Sequence, residues 1–284
     1  MADLPVDAEP RTSSTGGRDL PKAVAVGVGL LVVVVGSLYL WRPAFVLFAL
    51  VAVCAALWEL AQAFSRRDVH LPLAPLWVGT AGILVSAYTS GLEALMVSFV
   101  LTVVGVVVWR AIDARGARAL RDASAGAFAA AYLPLMAGFA MLLLAQPDGA
   151  TRVLVFVLLA VASDTGGFFA GVRFGKHPLA PTISPKKSWE GLAGSFLLAL
   201  AVGLVGGVVV LGEPLWVGFA LGVATPVTAT LGDLAESLLK RDMELKDMGT
   251  LLPGHGGVLD RLDSLLLTAP FVYLLLSVSL PAAG

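Results

Sequence analysis

The chain has 284 residues, 58% of them hydrophobic and only 14% charged, with a formal net charge of −1. Soluble domains carry about 25% charged residues, so this balance excludes an ordinary water-soluble protein, and the near-neutral charge excludes a bulk basic surface for nucleic acid. Repeated apolar runs of roughly 18 residues or more indicate a polytopic, all-α integral membrane protein, because backbone in lipid must satisfy its own hydrogen bonds.

Residues 1–21 are polar and rich in Pro, Ser, Thr, Gly and Asp, and read as a disordered cytoplasmic tail. Nine transmembrane helices are expected to follow, over 23–40, 43–64, 71–89, 92–110, 124–145, 151–171, 190–211, 215–239 and 262–280. The first ends in Leu40-Trp41-Arg42 without a small-residue cleavage pattern, so an uncleaved span is expected there rather than a signal peptide. Pro72 and Pro75 leave open whether 71–89 spans fully or is re-entrant. The single cysteine, Cys54, lies within an apolar run and reads as a packing residue. No internal repeat is visible, and residues 22–150 read as a helical frame for a catalytic half at 151–284.

Loop charge sets the orientation. With the N-terminus cytoplasmic, 17 of the 19 Lys and Arg fall on the cytoplasmic side, leaving only Arg42 and Arg152 outside. That places the C-terminus outside the cell.

Ionisable groups inside a span are costly and usually line a cavity or a site. Asp164 lies nine residues before Arg173, so roughly 13 Å below the cytoplasmic helix end. Asp233 lies seven residues before Lys240, a depth of about 10 Å, and Glu236 shares its helix face. A buried polar knot that merely joins helices is the alternative reading of these groups. Asp260 and Asp263 repeat the i, i+3 spacing at the start of the last helix, where one of them would serve equally as a helix cap. Carboxylates without a Cys/His cluster suit a hard cation such as Mg²⁺, with room for a second cation, and argue against zinc. Lys186-Lys187 and Lys240-Arg241 flank these carboxylates from two loops. The run Gly254-His255-Gly256-Gly257 is able to turn successive N–H groups toward an anion, although an ordinary turn reads the same way. His255 remains open between phosphate binding, proton transfer and bracing of the loop.

Two short matches fail. Gly171–Lys176 is one residue short of a P-loop and ends in His177. Asp148–Arg152 lacks the downstream spacing of a CDP-alcohol phosphotransferase motif. The spacings Gly203–Gly207 and Gly218–Gly222 permit close helix approach, most simply within one chain.

The C-terminal charged segment resembles a known family. Ser237, Lys240, Arg241, Lys246 and Asp247, followed by Leu252-Pro253-Gly254-His255-Gly256-Gly257-Val258-Leu259-Asp260-Arg261-Leu262-Asp263, is similar to the signature of phosphatidate cytidylyltransferases (CDP-diacylglycerol synthases). Ser163–Gly166 and Ile183–Gly191 resemble two further segments of that family, with Ser188 where Thr is usual and Ser195 where a second Gly often stands. The resemblance covers residues 160–265. It implies transfer of CMP from CTP to phosphatidate, a divalent-metal requirement, a multi-pass protein of the bacterial inner membrane and a homodimer. On this reading Asp233 and Asp260 are the principal metal ligands, supported by Asp164, Glu236 and Asp263. Asp233, Asp260, Asp263 and Lys187 carry the catalytic roles. Ser184, Lys186, Lys187, Lys240, Arg241, Lys246, His255, Gly256, Gly257 and Arg261 contact the substrates. Two other readings stand beside it: CTP transfer to another lipid phosphate, such as an ether lipid, and an ion-coupled transporter using the intramembrane carboxylates.

The loop charges generate a direct expectation. A reporter fused after Gly284 should be active outside the cytoplasm, and a cytoplasmic signal there would overturn the topology.

Overall fold

The computed structural model describes residues 20–113, 116–249, 251 and 256–278. Most of the polar tail, Leu252 to His255 of the charged loop and the expected end of the last helix lie outside the described residues. Helices dominate: α1 (Leu20–Leu40), α2 (Arg42–Ser65), α3 (Leu73–Asp113), α4 (Ala117–Ala130), α5 (Met136–Leu144), α6 (Gly149–Phe174), α7 (Trp189–Gly203), α8 (Leu215–Asp242) and α9 (Leu259–Val278). Among the described residues, seven helices are long and apolar enough to cross a membrane, counting α4 and α5 as one rod. Their outer faces leave large apolar side chains uncovered, such as Val78, Val172, Leu197 and Val209, as a lipid solvent permits.

The two spans expected over 71–89 and 92–110 are the arms of α3, which breaks at one residue. Gly91 has φ 83° and ψ −164°, a conformation essentially restricted to glycine. The arms fold back on each other: Ser86 Oγ lies 2.9 Å from Ser98 Oγ, and a Cβ on Gly79 would sit 2.2 Å from Thr102. Pro72 and Pro75 precede or open the first turn, where a missing N–H costs little.

The rod expected over 124–145 starts earlier, at Ala117, and passes through a π segment at Ala131–Leu135 that accommodates Pro134. Its added first turns are amphipathic rather than apolar, so hydropathy alone does not mark them. They are held by charge: Arg118 and Arg121 both reach Asp68 in the α2–α3 loop. The Arg118 guanidinium, with Arg121 behind it, holds the Asp68 carboxyl below its ordinary value.

A second difference lies in loop 172–189. It carries an antiparallel hairpin, β1 (Pro178–Ala180) and β2 (Ser184–Ser188), paired Pro178 to Ser188 and Ala180 to Ser184. Charged loop segments with Pro and Ser give little strand signal. The base of the hairpin is tied by Glu190, whose carboxylate accepts the Lys176 and His177 N–H groups and meets His177 Nδ1 at 2.6 Å.

The buried apolar core is built mainly from α2, α3, α5 and α6, through residues such as Leu57, Leu60, Leu76, Ile83, Leu84, Leu143 and Leu159. The remaining charges partition between two poles. At one, Arg42 donates to the Gln146 and Pro147 carbonyls, while buried Arg152 joins Asp148, Glu213 and the Leu276 carbonyl. At the other lie the β-hairpin and the α2–α3 and α8–α9 connections.

The last four helices pack closely where side chains vanish. Gly203 and Gly218 face each other across α7 and α8, so the glycine spacings serve packing within this chain. Gly166 lies equally close to Gly194 across α6 and α7. At Gly232 an added Cβ would sit 2.3 Å from the Asp263 carbonyl oxygen. The small residue next to Asp233 therefore lets α9 approach α8 at the level of both aspartates. Gly232→Ala should destabilise the protein by about 1–3 kcal/mol and lower its thermal midpoint in detergent. Gly82→Ala, with nothing within 4 Å of the new carbon, should leave that midpoint unchanged; equal midpoints for both variants would contradict the packing argument.

Candidate active site

Four helices and the hairpin converge on one cavity of about 440 Å³. Its wall combines Ser163 and Asp164 of α6, Lys186 and Lys187 of β2, Asp233 of α8, and Asp260, Arg261, Asp263 and Ser264 of α9. Ser184, Gly191 and Ser195 complete the polar side, with Phe168, Leu179 and Leu192 as apolar neighbours. Helices separated by some 100 residues thus bring their carboxylates to one place, which the spacing within each motif could not reveal.

Counter-charges meet these carboxylates directly. Lys187 Nζ lies 2.5 Å from Asp233 Oδ2, bringing the hairpin onto α8. Ser237 Oγ donates to the other Asp233 oxygen at 3.3 Å. Lys240 sits between two carboxylates, 3.1 Å from Glu236 Oε1 and 2.6 Å from Asp260 Oδ1. Glu236 is fully buried beneath the cavity and does not line it. Ser264 links the remaining two: its hydroxyl donates to Asp164 Oδ2 at 3.1 Å, and its N–H donates to Asp263 Oδ1 at 2.7 Å.

Asp260 is the most heavily engaged. Besides Lys240, it accepts the Met248 N–H on both oxygens at 3.2 Å and the Gly257 N–H at 2.7 Å. The Gly257 N–H therefore points at a carboxylate of its own chain. Gly256 adopts φ +85° beside it, where a Cβ would come 2.9 Å from Asp260 Oδ2. His255 lies outside the described residues.

A second cavity, of about 590 Å³, opens on the other side of β2. Ser184 and Lys186 belong to both cavities. Lys240, Arg241 and Lys246 line the second with Glu244, so four cations face one carboxylate. Arg241 Nε also donates to the Ile183 carbonyl, anchoring the hairpin turn to α8.

The two departures from the family pattern have local explanations. Ser188 caps α7, its hydroxyl accepting the Gly191 N–H at 3.1 Å, a task Ser and Thr perform comparably. Ser195 is buried and donates to the Ser163 carbonyl at 2.7 Å, tying α7 to α6 one residue from Asp164.

Among the described residues, no three Asp, Glu, His or Cys side chains converge at ligating distance. That does not exclude the expected ion, because Mg²⁺ is typically held by one or two carboxylates and completed by substrate phosphates and water. The donor chemistry fits it: the cavity offers four carboxylates and several hydroxyls, with no soft ligand.

One buried acid was missed by the sequence reading. Glu59 of α2 is 1% exposed and accepts the Leu259 N–H at 2.9 Å, at the first residue of α9. The signal was available, since Glu59 is a carboxylate inside an apolar run.

A match to the cytidylyltransferase family extends over residues 21–279. The chain belongs to the cytidylyltransferase family. It is 38% identical to the phosphatidate cytidylyltransferase of Mycobacterium leprae, over 94% of this chain and 91% of that one. Against the phosphatidate cytidylyltransferase of Mycobacterium tuberculosis (strain H37Rv) the identity is 36%, covering 94% and 85% of the two chains. The phosphatidate cytidylyltransferase of Bacillus subtilis is 40% identical over 131 residues, 46% of this chain and 49% of that one.

The Lys240 arrangement makes a stability prediction. Lys240→Met leaves Glu236 and Asp260 without their shared cation, which should cost on the order of 3 kcal/mol. Adding Glu236→Gln should restore part of the loss, as read by thermal unfolding in detergent. Additive losses would contradict a coupled pair.

Proposed function

We propose that this protein is a phosphatidate cytidylyltransferase of the inner (plasma) membrane, acting as a homodimer with its catalytic face toward the cytoplasm. The observation that carries this reading is the adjacency of two cavities across β2, one rich in carboxylates and one rich in cations. Full-length similarity to proteins of that name supports it. The loop charges favour nine spans, with the N-terminus cytoplasmic and the C-terminus outside. The separation of Arg42 and Arg152 from the other pole of the bundle supports that orientation. Residues 22–150 frame the site and residues 151–284 carry it.

In the proposed reaction a phosphate oxygen of phosphatidate attacks the α-phosphorus of CTP. A new P–O bond forms, the bond to the β-phosphate breaks, and CDP-diacylglycerol and pyrophosphate result. The attacking phosphate is already anionic, so alignment and charge neutralisation matter more than a general base. Lys186, Lys240, Arg241 and Lys246 hold the CTP phosphates in the cation-lined cavity. Lys187 and Arg261 receive the lipid phosphate from the carboxylate-lined side, and Ser184 lies at the boundary. Asp233 and Asp260 hold Mg²⁺, with Asp164, Asp263 and the buried Glu236 orienting them and a second cation accommodated alongside. A bound divalent ion supplies neutralisation of phosphate charge.

Lys187 rests on Asp233 and Lys240 on Asp260. Incoming phosphates compete for those ammonium groups and free carboxylate oxygens for the cation. Substrate and cation therefore assemble together.

The test is an assay of purified protein with CTP against a panel of lipid phosphates. Phosphatidate should yield CDP-diacylglycerol and pyrophosphate in equal amounts. Asp233→Asn should lower kcat by about a hundredfold or more while the protein stays folded. Near-normal turnover would remove Asp233 from the site. Preference for an ether-linked phosphate would reassign the lipid, and ion flux without CTP consumption would favour a transporter.

A further inference from the structure

We propose that Glu59 is a positioning residue of the active site, a buried carboxylate from the N-terminal half that fixes where the α8–α9 loop presents Asp260. The proposal rests on the reading of Asp260 as a cation ligand.

Glu59 lies in α2, 200 residues from the group it binds, and is 1% exposed. A carboxylate in that environment requires compensation. Part of that compensation comes from the loop backbone: Leu259 donates to Oε2 at 2.9 Å, while among the described residues the buried Oε1 has no hydrogen-bond donor. Leu259 opens α9, so the acid also meets the positive end of that helix.

The loop is shaped around this side chain. A Cβ on Gly249 would sit 2.1 Å from Glu59 Oε1, and one on Gly257 would sit 2.6 Å from Oε2. The same Gly257 carbon would lie 2.8 Å from the Gly249 nitrogen, so the two loop segments touch each other as well as the acid. From the opposite side Asp260 accepts the Met248 and Gly257 N–H groups. Two carboxylates thus share the loop, Asp260 taking residues 248 and 257 and Glu59 taking residue 259. Neither can relocate without moving the other's anchor.

Glutamine at position 59 keeps the shape but replaces the charged acceptor of the Leu259 N–H with a weaker, neutral one. Glu59→Gln should leave the helices folded and loosen the loop. In hydrogen–deuterium exchange the amides of Met248, Gly257 and Leu259 should exchange about tenfold faster, with α6 and α7 unchanged. The Mg²⁺ concentration for half-maximal turnover should rise about tenfold, with KM for phosphatidate unaltered. Gly249→Ala, which crowds the same carboxylate, should reproduce both effects and decides the matter if Glu59→Gln does not fold. Wild-type exchange and wild-type Mg²⁺ requirement would overturn the proposal. Asp260→Asn separates the two claims: if it abolishes turnover while Glu59→Gln changes nothing, only the Glu59 role is wrong. If Asp260→Asn retains turnover and Mg²⁺ requirement, the assignment of Asp260 falls first.

Discussion

The structure depends on how an apolar bundle tolerates five carboxylates in one place. Asp164, Asp233, Glu236, Asp260 and Asp263 come from three helices, and Glu236 is fully buried. Removing an ion from water costs several kcal/mol. One opposite charge at about 4 Å returns on the order of 4 kcal/mol at an effective dielectric of 20. A single partner per acid therefore only breaks even. The links are shared: Lys240 bridges Glu236 and Asp260, and Ser264 bridges Asp164 and Asp263, so losing either one affects two acids. The arrangement holds as a network or not at all.

The network in turn requires close helices, which explains the glycines. At Gly232 the backbone of α9 occupies the space a side chain would need, and Gly166 and Gly194 do the same between α6 and α7. The hairpin then completes the charge balance from above, bringing Lys187 to Asp233 while leaving Lys186 on the wall shared by both cavities. An acidic cavity joined to a basic one across a single strand suits a reaction in which polyphosphate and cation arrive together. The preference for oxygen donors follows from the same side chains.

Much of this was legible in the sequence, for identifiable reasons. Long apolar runs mark helices by composition alone, so α2, α6 and α8 begin and end close to their expected limits, α9 begins close to its own, and α7 reaches nearly to its expected end through a π segment at Leu204–Val210. Charges inside or beside those runs are conspicuous, so Asp164, Asp233 and Asp260 stand out in the sequence, and they line one cavity. The start of α4 was missed because its first turns are polar and held by Asp68, a contact between distant residues. The hairpin was missed because strand pairing in a five-residue segment leaves little periodicity. Glu59 was overlooked for a different reason: its partner is the backbone N–H of Leu259, 200 residues away, and backbone has no sequence signature. The sequence also could not show that Asp260 spends most of its hydrogen-bonding capacity within its own loop.

The central claim is that the carboxylate-lined cavity receives the divalent ion while the adjoining cations receive the CTP phosphates. Anomalous diffraction from crystals of the protein grown with CTP and Mn²⁺ tests it most directly. The account predicts an Mn²⁺ peak between α8 and α9 beside Asp233 and Asp260, with the phosphates near Lys186, Lys240 and Arg241. A peak at the opposite pole, beside Asp148 and Glu213, or phosphates bound away from β2, would contradict it.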